Sequence, residues 1–160
     1  MTASILKFSK FREERGEQYT TWDCSLTSMN FVLDKVSVSK KGVIRGFHGD
    51  DYTYKLISCL FGTIKLVVFD IETETKQEFI LSDEDDEFTS VLVPPRHLNA
   101  HQCLTDKCLF HYKWDQPYDL CNQYSVSYKD EFINPQWFPI PEIISKRDTD
   151  APKFVDRIGF

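Results

Sequence analysis

Apolar and polar residues alternate with a period of two along most of this chain, and turn signals interrupt the alternation at short intervals. The pattern predicts strands at 18–24, 31–37, 43–48, 54–61, 64–71, 76–81, 88–93, 101–104, 108–114 and 123–128. No long segment holds apolar residues at a helical spacing. Repeated short strands of this kind imply an all-β chain, folded as a sandwich or a jelly-roll barrel that also covers its sheet edges. Phe61-Gly62-Thr63 makes a tight connection between the two most apolar strands. Asp83–Glu87 is a run of like charges, expected at a solvated hairpin tip rather than a cation site. The segment Asn134-Pro135-Gln136-Trp137-Phe138-Pro139-Ile140-Pro141 holds three prolines and fits neither a strand nor a helix interior. It is expected to wrap the barrel and carry Ser145-Lys146-Arg147-Asp148 back to it. With no linker or repeat, residues 1–160 read as one domain.

Basic residues interrupt this apolar pattern. Arg45-Gly46-Phe47-His48-Gly49-Asp50 and Tyr54-Lys55-Leu56 place an arginine, a histidine and a lysine in strand-like segments. By period two, Lys55 shares a face with Ile57, Cys59 and Phe61. An unpaired ammonium on an apolar face is costly. Two readings follow: a functional buried cation, or a strand-end lysine whose ammonium reaches water.

The 160 residues are enough to bury a core, and the aromatic-rich composition is that of a globular chain. With 19 Lys and Arg against 25 Asp and Glu, the net charge of −6 supplies no global field for nucleic acid. An anionic ligand therefore needs a local cluster of cations. The five cysteines, Cys24, Cys59, Cys103, Cys108 and Cys121, form no CxxC pair and read as small core residues of a reducing compartment. Met1 to Lys7 lack a signal-peptide core, and no stretch approaches membrane-spanning length, so a cytoplasmic location is expected.

His48, His97 and His101 invite a metal site, but no His-x-His pair lies near His48, and Asp50 and Asp51 are as well explained by a turn. Neither a Gly-x-Gly-x-x-Gly turn nor a P-loop occurs. Metal-free proton transfer fits the residues better. A histidine can take a proton near neutral pH, a tyrosine on the opposite side can return one, and a lysine can steady the anion between. In Cys108-Leu109-Phe110-His111-Tyr112-Lys113-Trp114, Tyr112 shares a face with Cys108, Phe110 and Trp114 and is expected to point inward. A tyrosine merely hydrogen-bonded in the core has the same pattern. His111 falls on the other face and is expected at the surface.

Six strings in order, Glu14-Arg15-Gly16, Arg45-Gly46-Phe47-His48-Gly49-Asp50, Tyr54-Lys55-Leu56, Pro94 to His101, His111-Tyr112-Lys113 and Ser145 to Pro152, resemble the dTDP-4-dehydrorhamnose 3,5-epimerase family over nearly the whole chain. With Asp34-Lys35 and Asn99-Ala100-His101, the motif form looks closest to a branch acting on nucleotide-linked 4-keto sugars of surface polysaccharides, heptoses included. The resemblance implies a cupin-like double-stranded β-helix with extended N- and C-terminal segments. It implies an isomerase that inverts C3, C5 or both beside the ketone of a nucleotide-diphosphate-linked 4-keto sugar, without cofactor or metal. It assigns His48 as base, Asp148 as the carboxylate holding its tautomer, Lys55 as the enolate's cation and Tyr112 as the acid on the opposite face. His101 joins the substrate pocket, and Arg15 and Arg45 hold the diphosphate. The N-terminal strand of such barrels adds to a neighbour's sheet, so a homodimer is expected. Two other readings remain open: a nucleotide-sugar ketoisomerase on the same barrel, and a non-catalytic sugar-binding barrel.

Overall fold

The computed structural model describes residues 1–118 and 123–156. Eleven strands are present among them: β1 (Ser4–Glu13), β2 (Gly16–Tyr19), β3 (Leu33–Lys40), β4 (Ile44–Gly49), β5 (Lys55–Phe61), β6 (Thr63–Asp70), β7 (Thr75–Ser82), β8 (Glu87–Val93), β9 (His97–Cys103), β10 (Lys107–Trp114) and β11 (Tyr124–Ser125). One helical turn, α1 (Lys146–Thr149), follows. One sheet runs β2-β1-β8-β5-β10-β3 and the other β11-β4-β9-β6-β7. Strands β3 to β10 pair as nested antiparallel ribbons: β6 with β7, β5 with β8, β4 with β9 and β3 with β10. Successive ribbons lie in alternate sheets. That winding is the cupin-like double-stranded β-helix, a jelly-roll barrel that leaves few free edges.

The long apolar run in β6 follows from this architecture. Ile64, Leu66 and Val68 face the other sheet and join Ile57, Val91, Leu81, Cys59, Cys103 and Cys108 in the inner core. Val67 and Phe69 face outward into a second cluster with Phe47, Leu98, Ala100, Ile133 and Phe154, partly covered by Trp137. A sheet buried on both faces reads as continuous apolar sequence rather than as an alternation. The Pro-rich tail supplies the outer cover. Gln102, fully buried, donates to the carbonyl of Phe138 at 3.1 Å and accepts from its N–H at 2.9 Å. Ile143 pairs with Gly42 and Ile44 through its backbone.

Ten-residue β1 is absent from the alternation because only Phe8 within it is buried. A backbone ladder with β8 holds it instead, and exposed pairs of Lys7 with Glu87 at 2.7 Å and Arg12 with Asp86 at 3.0 Å set basic side chains against the acidic hairpin tip. Ser4 to Ser9 pair with β8 of the same chain, so this strand completes its own sheet. The expected strand at 18–24 stops at Tyr19, the last residue of β2 to pair with β1. The Gly62 corner, with φ +77°, carries the chain from one sheet to the other. Cys59, Cys103 and Cys108 are buried as expected, Cys24 is exposed, and Cys121 lies outside the described residues. No helix among the described residues is long and apolar enough to cross a membrane.

Candidate active site

A cavity of about 250 Å³ opens between the two sheets. Cross-strand register determines which side chains enter it. On the first sheet, Lys35, Tyr112 and Ile57 form one row, and Trp114 and Lys55 form the next. Residues two apart share a face, so Ser37 and Phe110 follow on the same wall. Phe110 belongs to both the cavity lining and the inner core, which makes it the floor.

The facing wall needs an irregularity. Arg45 and His48 are three residues apart and would point to opposite faces of a regular strand. Arg45 pairs with His101 and His48 with Asn99, so three steps along β4 match two along β9. This bulge turns both Arg45 and His48 into the cavity. Gly46 permits it: its φ is +121°, and an added Cβ would lie 2.6 Å from the Asn99 carbonyl oxygen and 2.7 Å from Ala100 Cα. Gly46→Ala should lower unfolding stability by about 2–4 kcal/mol, as strain and backbone collision require. An unchanged denaturant midpoint would show that the bulge does not depend on the glycine.

The tail supplies the last partner. Ser145 caps α1 by accepting from the Asp148 N–H at 3.2 Å, and the buried Asp148 carboxylate meets His48 Nε2 at 2.7 Å. Its other oxygen accepts from the Gly46 N–H at 3.3 Å. Burial pushes this carboxyl up, but the His48 hydrogen bond and charge and the Gly46 N–H outweigh it and hold Asp148 below its usual value. An ionised partner only accepts, so Nε2 carries the hydrogen and Nδ1 of the neutral ring keeps its lone pair.

Lys55 is buried, not reaching water: its Nζ lies 3.3 Å from Asn99 Oδ1, 3.8 Å from Asp50 Oδ2 and 5.1 Å from the Trp114 ring centroid. Burial lowers its pKa to about 8, with Asp50 opposing. Asp50 also makes the expected turn, accepting from the N–H groups of Tyr52 and Thr53. His101 stacks on Phe110 at 3.9 Å, and burial, then the charge of Arg45 and that of His48 when protonated, lower its pKa to about 3. It is a neutral imidazole whose buried Nε2 has no partner among the described residues. Tyr112 lies between Phe110 and Trp114, at 5.2 and 5.7 Å, and lines the cavity.

Six of the seven expected residues, His48, Lys55, Tyr112, Asp148, Arg45 and His101, therefore line one cavity. Arg15 does not. It sits in the exposed β1–β2 turn, paired with Glu13, because that hairpin lies at the far edge of the sheet. His97 is held elsewhere, with Nδ1 2.9 Å from the Pro95 carbonyl and Nε2 3.6 Å from Asp70. His111 is buried rather than at the surface, because β10 is an inner strand whose back is flanked by Ser58 and Asp34. Lys35, Asn99, Trp114 and Arg147 also line the cavity and were not anticipated. Arg147 was legible as the neighbour of Asp148; Lys35 needed the register of β3. The lining holds Lys35, Arg45, Lys55 and Arg147 against one carboxylate, a local positive site on an acidic chain. Among the described residues no three His, Cys, Asp or Glu side chains gather as metal ligands.

The family model for dTDP-4-dehydrorhamnose 3,5-epimerase matches residues 2–156. A protein of that name from Salmonella typhimurium is 30% identical over 92% of this chain and 88% of its own length. The crystal structure of the enzyme of that name from Elizabethkingia anophelis, 30% identical, superimposes with a TM-score of 0.84 over 97% of this chain and 92% of that one. The dTDP-6-deoxy-D-glucose-3,5-epimerase of Legionella pneumophila, solved with dTDP-4-keto-L-rhamnose, is 25% identical with a TM-score of 0.87, covering 94% of this chain and 87% of that one.

Proposed function

This chain belongs to the dTDP-4-dehydrorhamnose 3,5-epimerase family, and from that premise we propose how its cavity inverts the carbons beside the ketone of a nucleoside-diphosphate-linked 4-keto sugar. One observation carries the reading: His48 and Tyr112 enter a single cavity from facing sheets, and Lys55, on the Tyr112 side, extends its ammonium to 3.3 Å from Asn99 on the His48 side. A sugar ring lying between them presents one face to each.

His48 Nδ1 removes the proton next to the ketone, and the electron pair of that C–H bond moves onto the carbonyl oxygen as an enolate. Asp148 supports the imidazolium so formed. Lys55, held near Asn99 and already desolvated, stabilises the oxyanion where charge develops. Neutral His101 offers a further hydrogen bond without competing for the proton. Tyr112 then gives its proton to the carbon from the opposite face, and the enolate pair returns to it. The substrate's own ketone supplies the acidity, so no cofactor enters the scheme. Arg45 and Arg147, both in the cavity lining, suit the paired oxygens of a diphosphate. Arg15 faces away from its own cavity and joins the diphosphate site only across a homodimer contact.

The relatives make a dTDP-linked 4-keto-6-deoxyhexose the substrate to test. Incubated in heavy water, the protein should introduce deuterium at the carbons it inverts. Tyr112→Phe should retain wash-in from the His48 side while inversion falls by roughly 10²-fold or more, the usual scale of a lost general acid. A ring that gains no deuterium with the unaltered protein would remove the reading. Deuterium with carbonyl migration, rather than inversion, would favour a ketoisomerase.

A further inference from the structure

The back of the catalytic wall carries a hydrogen-bonded chain that the reaction does not use. Ser58 Oγ on β5 lies 3.0 Å from His111 Nδ1 on β10, and His111 Nε2 lies 2.6 Å from Asp34 Oδ1 on β3. Lys113 Nζ donates to the other Asp34 oxygen. Ser58 and His111 are buried. Burial pushes the Asp34 carboxyl up, but its bonds from Lys113 and His111 prevail and hold it below its usual value. The chain thus links three neighbouring strands, directly from Ser58 to His111 and diagonally from His111 to Asp34.

Its placement relative to the site is specific. His111 and Lys113 are the two neighbours of Tyr112 along β10, and both grip the same carboxylate. Holding residues i−1 and i+1 to one point behind the sheet restrains rotation of the strand at residue i, whose side chain faces the cavity. Lys35, next to Asp34, pairs directly with Tyr112 across the strands, and Ser58 is one residue from Ile57 in the same row. Among the described residues β3 is an edge strand bonded only to β10 in this sheet, so its register at this point has no second ladder to secure it.

We propose that Asp34, His111, Lys113 and Ser58 form a clasp that positions Tyr112 for delivery of its proton, making Asp34 and His111 positioning residues for the acid half of the reaction and not for the base half. The inference rests on Tyr112 acting as acid and His48 as base. Proton delivery is sensitive to placement, since a displacement of about 1 Å can cost on the order of 10²-fold. His48 stands on the other sheet and is held by Asp148, so the clasp does not reach it.

The test is the ratio of inversion to deuterium wash-in with the nucleotide-linked 4-keto sugar. Asp34→Ala and His111→Leu should lower that ratio about tenfold while wash-in changes less than about twofold, within the range that small misplacements produce. Ser58→Ala, a milder change for any variant that folds poorly, should move the ratio in the same direction. Val38→Ala, outward-facing on the same strand but outside the clasp, should leave it unchanged. Added to Tyr112→Phe, Asp34→Ala should produce no further fall in the ratio. Equal loss of wash-in and inversion in the clasp variants would reduce the chain to a general structural element and overturn the inference. If Tyr112→Phe itself leaves the ratio unchanged, the acid assignment fails first; if it lowers the ratio and the clasp variants do not, only the clasp fails.

Discussion

His48→Asn should reduce turnover of the 4-keto sugar nucleotide by roughly 10²- to 10⁴-fold, the scale of a lost general base, while affinity for the nucleotide sugar stays within a few-fold. The geometry explains why the two separate. Asn stops short of the place where Nε2 meets Asp148 at 2.7 Å, but the buried carboxylate still accepts from the Gly46 N–H at 3.3 Å and is not left bare. What disappears is the lone pair on the far side of the ring. Arg45, Arg147 and Lys35 still line the cavity for the anionic part of the ligand. Calorimetric titration with the nucleotide sugar, set beside the rate of deuterium wash-in, reads both quantities. Wash-in that persists at the original rate would assign the base to another group, and neutral His101 on the same wall would be the next to replace.

Alternation of period two was enough to show an all-β chain, because inward and outward residues of a barrel strand differ in polarity. It failed where another force sets the pattern. β1 is held by its backbone ladder with β8, with only Phe8 buried and exposed basic side chains facing the acidic hairpin, rather than by an apolar stripe. Within the site, His48 and Lys55 were legible as basic groups in apolar strands, and Tyr112 as an inward residue of β10. Asp148 was reached through the resemblance, since nothing local says that a residue 100 positions away docks on His48. Lys35 and the burial of His111 were hidden for one shared reason. Both depend on β10 lying between β5 and β3, a pairing across long sequence distances that local periodicity does not encode. Arg15, matched by its motif, is kept from its own cavity by the same kind of non-local fact: the β1–β2 hairpin lies at the opposite edge of the sheet.

Lys55→Met should act in opposite directions on activity and stability. Loss of a cation fixed where an oxyanion develops costs about 10²- to 10³-fold in turnover. The folded protein, however, carries that ammonium at a penalty: burial brings its pKa from 10.5 to about 8. That gap corresponds to roughly 3 kcal/mol, an upper bound on what an apolar side chain of similar length recovers. Asp50 keeps the N–H groups of Tyr52 and Thr53 and is not left bare by the change. The sign with pH follows from proton binding. Below about pH 8 both folded and unfolded chains hold the proton, and the folded state bears the whole penalty. Between about 8 and 10.5 the folded lysine is neutral while the unfolded one stays charged, so the unfolded chain binds more protons and the stability contributed by this group rises. Turnover runs the other way, because the ammonium is the form that stabilises the enolate: it should fall as pH climbs through about 8, and Lys55→Met should lose that limb of the profile. Denaturant midpoints of the two proteins, compared at pH 7 and pH 10, should therefore converge as the wild-type lysine gives up its proton. A variant less stable than wild type at pH 7 would mean that contacts with Asn99 and the Trp114 ring outweigh the cost of burying the charge. In that case Lys55 would be a structural cation, and the falling limb above pH 8 would have to come from another group.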